Sequence, residues 1–170
     1  FPFGGSLKYN DVVRNVYDAL FELNVECDFV PVDAPAERLS KYAMIVAPAL
    51  YCTPQETTDN LREFVANGGH LVATMRSFVT DDEVTVWHDR APHNLTDVFG
   101  MSYNQFTRPK NVPVVFSGAL EGTPDTEALS LIELLKADEG TEVLASYGHY
   151  AWKDYAAITR HAFGKGTAEW

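Results

Sequence analysis

The sequence is poor in the features that most often betray a function. It has two cysteines, Cys27 and Cys52, in 170 residues. Without Cys-x-x-Cys spacing they make neither a zinc site nor a disulfide framework. A reducing cytoplasm is the expected setting. No apolar run approaches the ~20 residues that a membrane-spanning helix needs. Basic residues are scarce: 13 Lys and Arg stand against 24 Asp and Glu, a formal charge of −11. Nucleic acid and anionic membranes both select basic surfaces, so neither is expected as a partner. There is no Gly-x-Ser-x-Gly nucleophile elbow and no spaced calcium loop. No internal repeat or secretory leader is visible, and the first residue is Phe1. The chain is therefore expected to be a piece of a longer one.

What is present suffices for one domain over residues 1–170. A chain of this size buries roughly 70% of its unfolded surface, so its core needs no staples. Phe1 to Ser6 reads as a linker. From Lys8 to Leu23, Val12, Val13, Val16, Leu20 and Leu23 recur at helical spacing and share one face. Asn10 or Asp11 is the expected cap. Val25–Val32 is the first expected strand, with Cys27 inside it as buried core.

The stretch from Tyr42 to Ser77 carries the strongest pattern. Ala43–Ala47 is wholly apolar, as a central parallel strand requires. Thr53, Pro54 and Glu56 form a capping-box sequence with proline at the first helical position. The helix runs to Ala66 with Leu61, Phe64 and Val65 inward, and Asn67-Gly68-Gly69 stops it. His70–Thr74 is the next strand. Strand, helix and strand with short connections imply a right-handed crossover and a parallel sheet. Such a sheet opens on a strand, so one is expected ahead of the first helix.

Beyond Thr74 the pattern loosens. Arg76–His93 is a long irregular loop. Leu95–Phe99 is a short helix closed by Gly100. Pro113–Phe116, Val143–Tyr147, Ala156–His161 and Thr167–Trp170 read as strands, and Leu129–Leu135 fits helix or strand. Gly164-Lys165-Gly166 is a hairpin turn. The expected fold class is α/β: a doubly wound, mostly parallel sheet with antiparallel strands toward the C-terminus.

Three groups of residues invite a chemical reading. Cys52 follows a strand and precedes a helix, where a thiol pKa can fall; His70, His88 or His93 would be its base, with Glu56 nearby. Class I glutamine amidotransferases place their nucleophile in the turn after the next strand, however, and there this chain has Thr74-Met75-Arg76-Ser77-Phe78. Asp81-Asp82-Glu83 with His88 and Asp89 is oxygen-rich, yet an acidic run is most often a solvated face. No catalytic residue, cofactor or metal is assigned. Arg76, Phe78, Trp87, Tyr103 and Phe106 lie in loop-like stretches, and exposed aromatics mark interfaces. They are the expected contact residues.

The segment YAMIVAPALYCTPQETTDNLREFVANGGHLVAT resembles the middle, trimerisation domain of glycoside hydrolase family 42 β-galactosidases. YNDVVRNVYDALFELNVECDFVPVD, LTDVFGMSYNQF and YAAITRHAFGKGTAEW resemble its opening helix and strand, the segment after its long loop, and its closing hairpin. The resemblance implies an amidotransferase-like fold with a degenerate site. It implies a non-catalytic role in a homotrimer, beside an upstream (β/α)8 barrel that carries the two catalytic glutamates. Two alternatives stand: a cysteine-dependent amidotransferase-like hydrolase using Cys52, and a small-molecule or sugar-binding module at the carboxyl ends of the strands.

Overall fold

Two structural halves share one sheet, and the switch from helical to strand-rich sequence marks the division. The computed structural model describes residues 8–170. The first half contains α1 (Tyr9–Glu22), α2 (Ala36–Leu39), β1 (Met44–Ala47), α3 (Gln55–Ala66), β2 (His70–Ala73) and α4 (Thr96–Phe99). The second contains β3 (Met101–Ser102), β4 (Phe106–Thr107), β5 (Val112–Phe116), β6 (Thr126–Ala128), β7 (Ile132–Glu133), β8 (Lys136–Ala137), β9 (Glu142–Tyr147), β10 (Ala156–Phe163) and β11 (Gly166–Glu169). A 3-10 turn covers Gly118–Leu120. The expected linker at Phe1 to Ser6 lies outside the described residues.

The main sheet has the order β1-β2-β11-β10-β9-β5-β6. β1 and β2 are parallel, as the strand–helix–strand pattern requires, and β11 adds parallel to β2. The remaining pairs, from β11 to β10 through to β6, are antiparallel. The fold is thus mixed α/β, with the antiparallel strands in the C-terminal half. β3 pairs with β8 and β4 with β7 outside this sheet.

The core sits where α3 and α4 meet the parallel strands. Leu61, Phe64 and Val65 face inward from α3, as their spacing predicts, and pack with Leu71, Val98, Phe99 and Trp170. Fully burying one such side chain stabilises by about 1.5–3 kcal/mol. Gly68 (φ +117°) and Gly100 (φ +60°) end α3 and α4 in the left-handed region. Arg62 of α3 donates to both carboxylate oxygens of Asp97 on α4. That pairing holds the Asp97 carboxyl below its ordinary range, against partial burial. A smaller core gathers Val112, Ile132, Leu134 and Tyr147 under Trp152 and Tyr155.

Four local expectations need correction. Lys8, not Asn10 or Asp11, is the N-cap of α1, and no side chain caps it. Thr53 does not cap α3: Pro54 takes the N-cap place. The Thr53 hydroxyl donates to the Leu50 carbonyl at 3.2 Å, and its N–H to the Thr80 carbonyl at 2.8 Å. A tertiary bridge has outbid the local capping box. Val25–Val32 belongs to no strand: residues 25–31 have no regular structure and Val32 enters a turn. Cys27 within it is exposed, because nothing among the described residues covers the inner side of that segment. Within Leu129–Leu135, strand wins over helix as β7.

Candidate functional site

Open α/β sheets bind ligands outside the carboxyl ends of their strands, so the site is built from the turns that follow β1, β2 and β11. After β1 and again after β2 the chain must turn sharply. Ala49, Arg76 and Phe78 all have positive φ, at 49°, 61° and 58°. Such values are costly for residues with a Cβ and persist where the surroundings enforce them. Here hydrogen bonds do so. The Ala49 N–H donates to Thr74 Oγ1 at 2.8 Å and the Leu50 N–H to Ser77 Oγ at 2.9 Å. The Ser77 hydroxyl has the Thr74 carbonyl at 2.8 Å and the Ala47 carbonyl at 3.1 Å as acceptors. Ser77 is fully buried and committed to backbone, which leaves it no role as a nucleophile.

The residue in the elbow position is Arg76. Its N–H donates to Glu133 Oε1 at 2.9 Å, and its guanidinium lies 4.3 Å over the Phe106 ring. Glu133, from β7, is 4% exposed and also accepts from Trp170 Nε1 at 3.0 Å. Trp170 follows β11, so three elements converge on one carboxylate. Burial pushes the Glu133 carboxyl above its ordinary range; the Arg76 N–H, Trp170 and the Arg76 charge pull the other way without prevailing. Burial, then the nearby Glu133 charge, holds the Tyr103 phenol protonated. Tyr103 packs against Trp170 at 5.7 Å between centroids. The carboxyl ends of β2 and β11 are therefore filled by Arg76, Glu133, Tyr103 and Trp170.

The other candidates are dispersed. Cys52 is exposed and forms an isolated parallel bridge with Thr80. His93 faces Asp89 Oδ1 and Gln55 Oε1, both at 2.8 Å, and stacks on Trp87 at 3.8 Å. Burial raises the Asp89 pKa, but the bonds from His93 and Asn94 outweigh it and the net direction is down. Asp81 braces its own loop: it accepts the Thr85 N–H at 2.7 Å. Among the described residues, no three His, Cys, Asp or Glu side chains are placed to hold a metal. None of the described helices is long and apolar enough to cross a membrane.

The five expected contact residues divide by exposure. Phe78 and Tyr103 are core, at 0% and 3%, and Arg76 is buried. Trp87 is half-buried and Phe106 is 39% exposed. The most exposed apolar side chains of the Arg76–His93 loop are Val84 and Val86, at 63% and 64%. Thr80 bridges Val86, and the Trp87 N–H donates to the Val79 carbonyl at 3.1 Å, so this is a braced hairpin. Val84 sits at φ +66°, an outlier for a β-branched residue. The alternation in Glu83-Val84-Thr85-Val86-Trp87 was the signal for both valines.

Comparison with known proteins agrees with this architecture. The family described as "Beta-galactosidase trimerisation domain" matches residues 2–170. The chain belongs to that family. Among curated relatives, β-galactosidase BgaB of Geobacillus sp. (strain Y412MC61) is 32% identical over 161 residues, which is 94% of this chain and 23% of BgaB. The crystal structure of β-galactosidase from Bacillus circulans sp. alkalophilus superposes with a TM-score of 0.88 at 28% identity, over 98% of this chain and 25% of that one. Gan42B, a GH42 β-galactosidase, gives 0.85 at 25% identity, over 96% of this chain and 23% of its own. The trimerisation domain thus spans about a quarter of these proteins.

Proposed function

We propose that this chain is a non-catalytic assembly domain, working within a cytoplasmic β-galactosidase that hydrolyses terminal β-D-galactosides. The observation that carries the reading is the filled carboxyl end: where an amidotransferase-like, doubly wound relative would hold its nucleophile, Arg76 sits in the strained turn, locked to Glu133. Hydrolysis, by retention through a covalent intermediate, belongs to a (β/α)8 barrel elsewhere in the polypeptide. The length of the relatives beyond the matched quarter leaves room for such a barrel.

The partners are two further copies of the same chain. Cyclic threefold symmetry uses heterologous contacts, so two different surfaces of each domain meet. One is the Arg76–His93 loop, with Val84, Val86 and Trp87 in contact, together with Phe106, which lies under the Arg76 guanidinium. Arg76, Phe78 and Tyr103 act from within, by holding the loop's base. Val86→Asp combined with Trp87→Ala in the full-length protein is expected to weaken self-association at least about 10-fold, the scale of losing an interface hot spot. Mass measured across a dilution series checks it. An unchanged dilution profile would remove the loop from the interface.

A further inference from the structure

His93 ends the Arg76–His93 loop, and both nitrogens of its ring face oxygen. Nδ1 lies 2.8 Å from Asp89 Oδ1, and Nε2 lies 2.8 Å from Gln55 Oε1 at the start of α3. The orientation of the Gln55 amide is set from behind. Its Nε2 donates to Asp59 Oδ1 at 3.0 Å, so a flip would set oxygen against a carboxylate. The Asn94 amide donates to the same Asp59 oxygen at 2.7 Å and holds it in place. A neutral imidazole has one N–H and one lone pair, so it satisfies only one of the two acceptors at His93. The imidazolium satisfies both. The ring also stacks on Trp87, with centroids 3.8 Å apart and 7° between planes, where a cation gains over a neutral ring.

The charges around the ring favour the cation. Asp89 is in contact, and its carboxyl lies below its ordinary range, so it stays ionised across the interval in which histidine titrates. Asp59 stands behind Gln55. Arg62, also of α3, donates to the Asn94 carbonyl at 3.0 Å and is paired with Asp97, which offsets its charge. The amino end of α3 opposes a cation, against these two carboxylates. On the core side the His93 backbone N–H donates to the Phe78 carbonyl at 3.1 Å. Asp89 and Trp87 belong to the loop, whereas Gln55 belongs to the helix. Trp87 closes the braced hairpin through the Val79 carbonyl. His93, itself 9% exposed, is therefore the tie between hairpin and helix.

We propose that His93 is a proton-operated clamp: protonated on both nitrogens, it fastens the hairpin at residues 79–87 to α3, and loss of one proton releases the hairpin and weakens self-association. This regulation rests on the reading of that loop as an interface. As pH rises, the imidazolium gives up one proton. One ring nitrogen then aims a lone pair at Asp89 or at Gln55, and that bond fails. Trp87 loses the cation stacked on it. The sign follows. The clamp is full at the acid end of the ~5–8 interval in which histidine titrates and is lost toward the alkaline end. A loosened hairpin must be ordered again at each contact, which costs affinity.

Hydrogen exchange and sedimentation on the full-length protein, between about pH 5.5 and 8.5, test this. Corrected for the intrinsic pH dependence of exchange, amide protection at residues 79–87 is expected to fall about 10-fold or more across the interval, the scale of one hydrogen bond to a charged group. It is measured at a concentration low enough to dissociate the assembly, so it reads the clamp alone. Sedimentation across a dilution series is expected to show the dissociation constant rising with pH by a similar factor, about 10-fold. His93→Gln should be flat in both measurements. Asp89→Asn should move the fall to lower pH, as the ring loses its anionic partner. Protection that does not change with pH in the wild type would overturn the proposal, and so would a fall that persists in His93→Gln. If protection follows pH while self-association does not, the clamp stands, but the hairpin leaves the interface and the regulation is overturned.

Discussion

Replacing Glu133 with alanine is expected to destabilise the fold by about 2 to 6 kcal/mol, at about 1–3 kcal/mol for each of two buried donors left without an acceptor. Against a total of about 5–15 kcal/mol for a domain, this is a large share. The loss has two parts. The Arg76 N–H and the Trp170 indole N–H lose their acceptor inside the protein. The strained turn at Arg76 loses the bond that holds its base. Urea denaturation measures the change; a loss below about 1 kcal/mol would mean that water or rearrangement satisfies these donors.

The same carboxyl gives a pH signature. Burial raises its native pKa, so the folded protein holds this proton more tightly than the unfolded chain. Its contribution is full below the ordinary glutamate range and is lost as pH rises through the raised native value. Glu133→Gln has no proton to lose, so its unfolding free energy should gain on the wild type as pH rises through that interval. Parallel curves would show that Glu133 does not titrate in it.

Gly166→Ala is the second large effect expected, at about 3 kcal/mol, the upper part of the range for overpacking. A Cβ at Gly166 would lie 2.2 Å from the Gly69 carbonyl oxygen and 2.3 Å from that of Val65. Both are backbone, so no rotamer change relieves the clash. Gly166 starts β11 where it crosses the turn between α3 and β2, and the close approach sets the parallel β2–β11 register. Ala in the exposed turn at Gly140, between β8 and β9, where nothing lies within 4 Å, should cost far less despite its positive φ. Thermal melts of the two variants separate close approach from backbone strain. Equal losses would contradict this account of Gly166.

Much of the fold was legible because local signals agreed with tertiary packing. The apolar run at β1, the periodicity of α3 and the glycine stop at Asn67-Gly68-Gly69 all concern burial, which sequence periodicity reports directly. The failures share a different cause. Thr53 satisfies every local rule for a cap, but its polar groups bridge to Leu50 and Thr80, the latter 27 positions away by subtraction of residue numbers. Cys27 reads as core because its neighbours are apolar, yet burial also requires an element on the other side. Phe78 and Tyr103 read as surface because loops are usually exposed; here both rings pack against Trp170. Glu133 was invisible, since one acid within Leu129–Leu135 says nothing of the three elements that converge on it.

The central claim is that this domain exists to hold copies together. The mass of the unaltered full-length protein, followed by sedimentation from micromolar concentration downward, tests it most directly. The account predicts three chains, giving way to single chains on dilution with no stable species of two. A single chain at every concentration would contradict it.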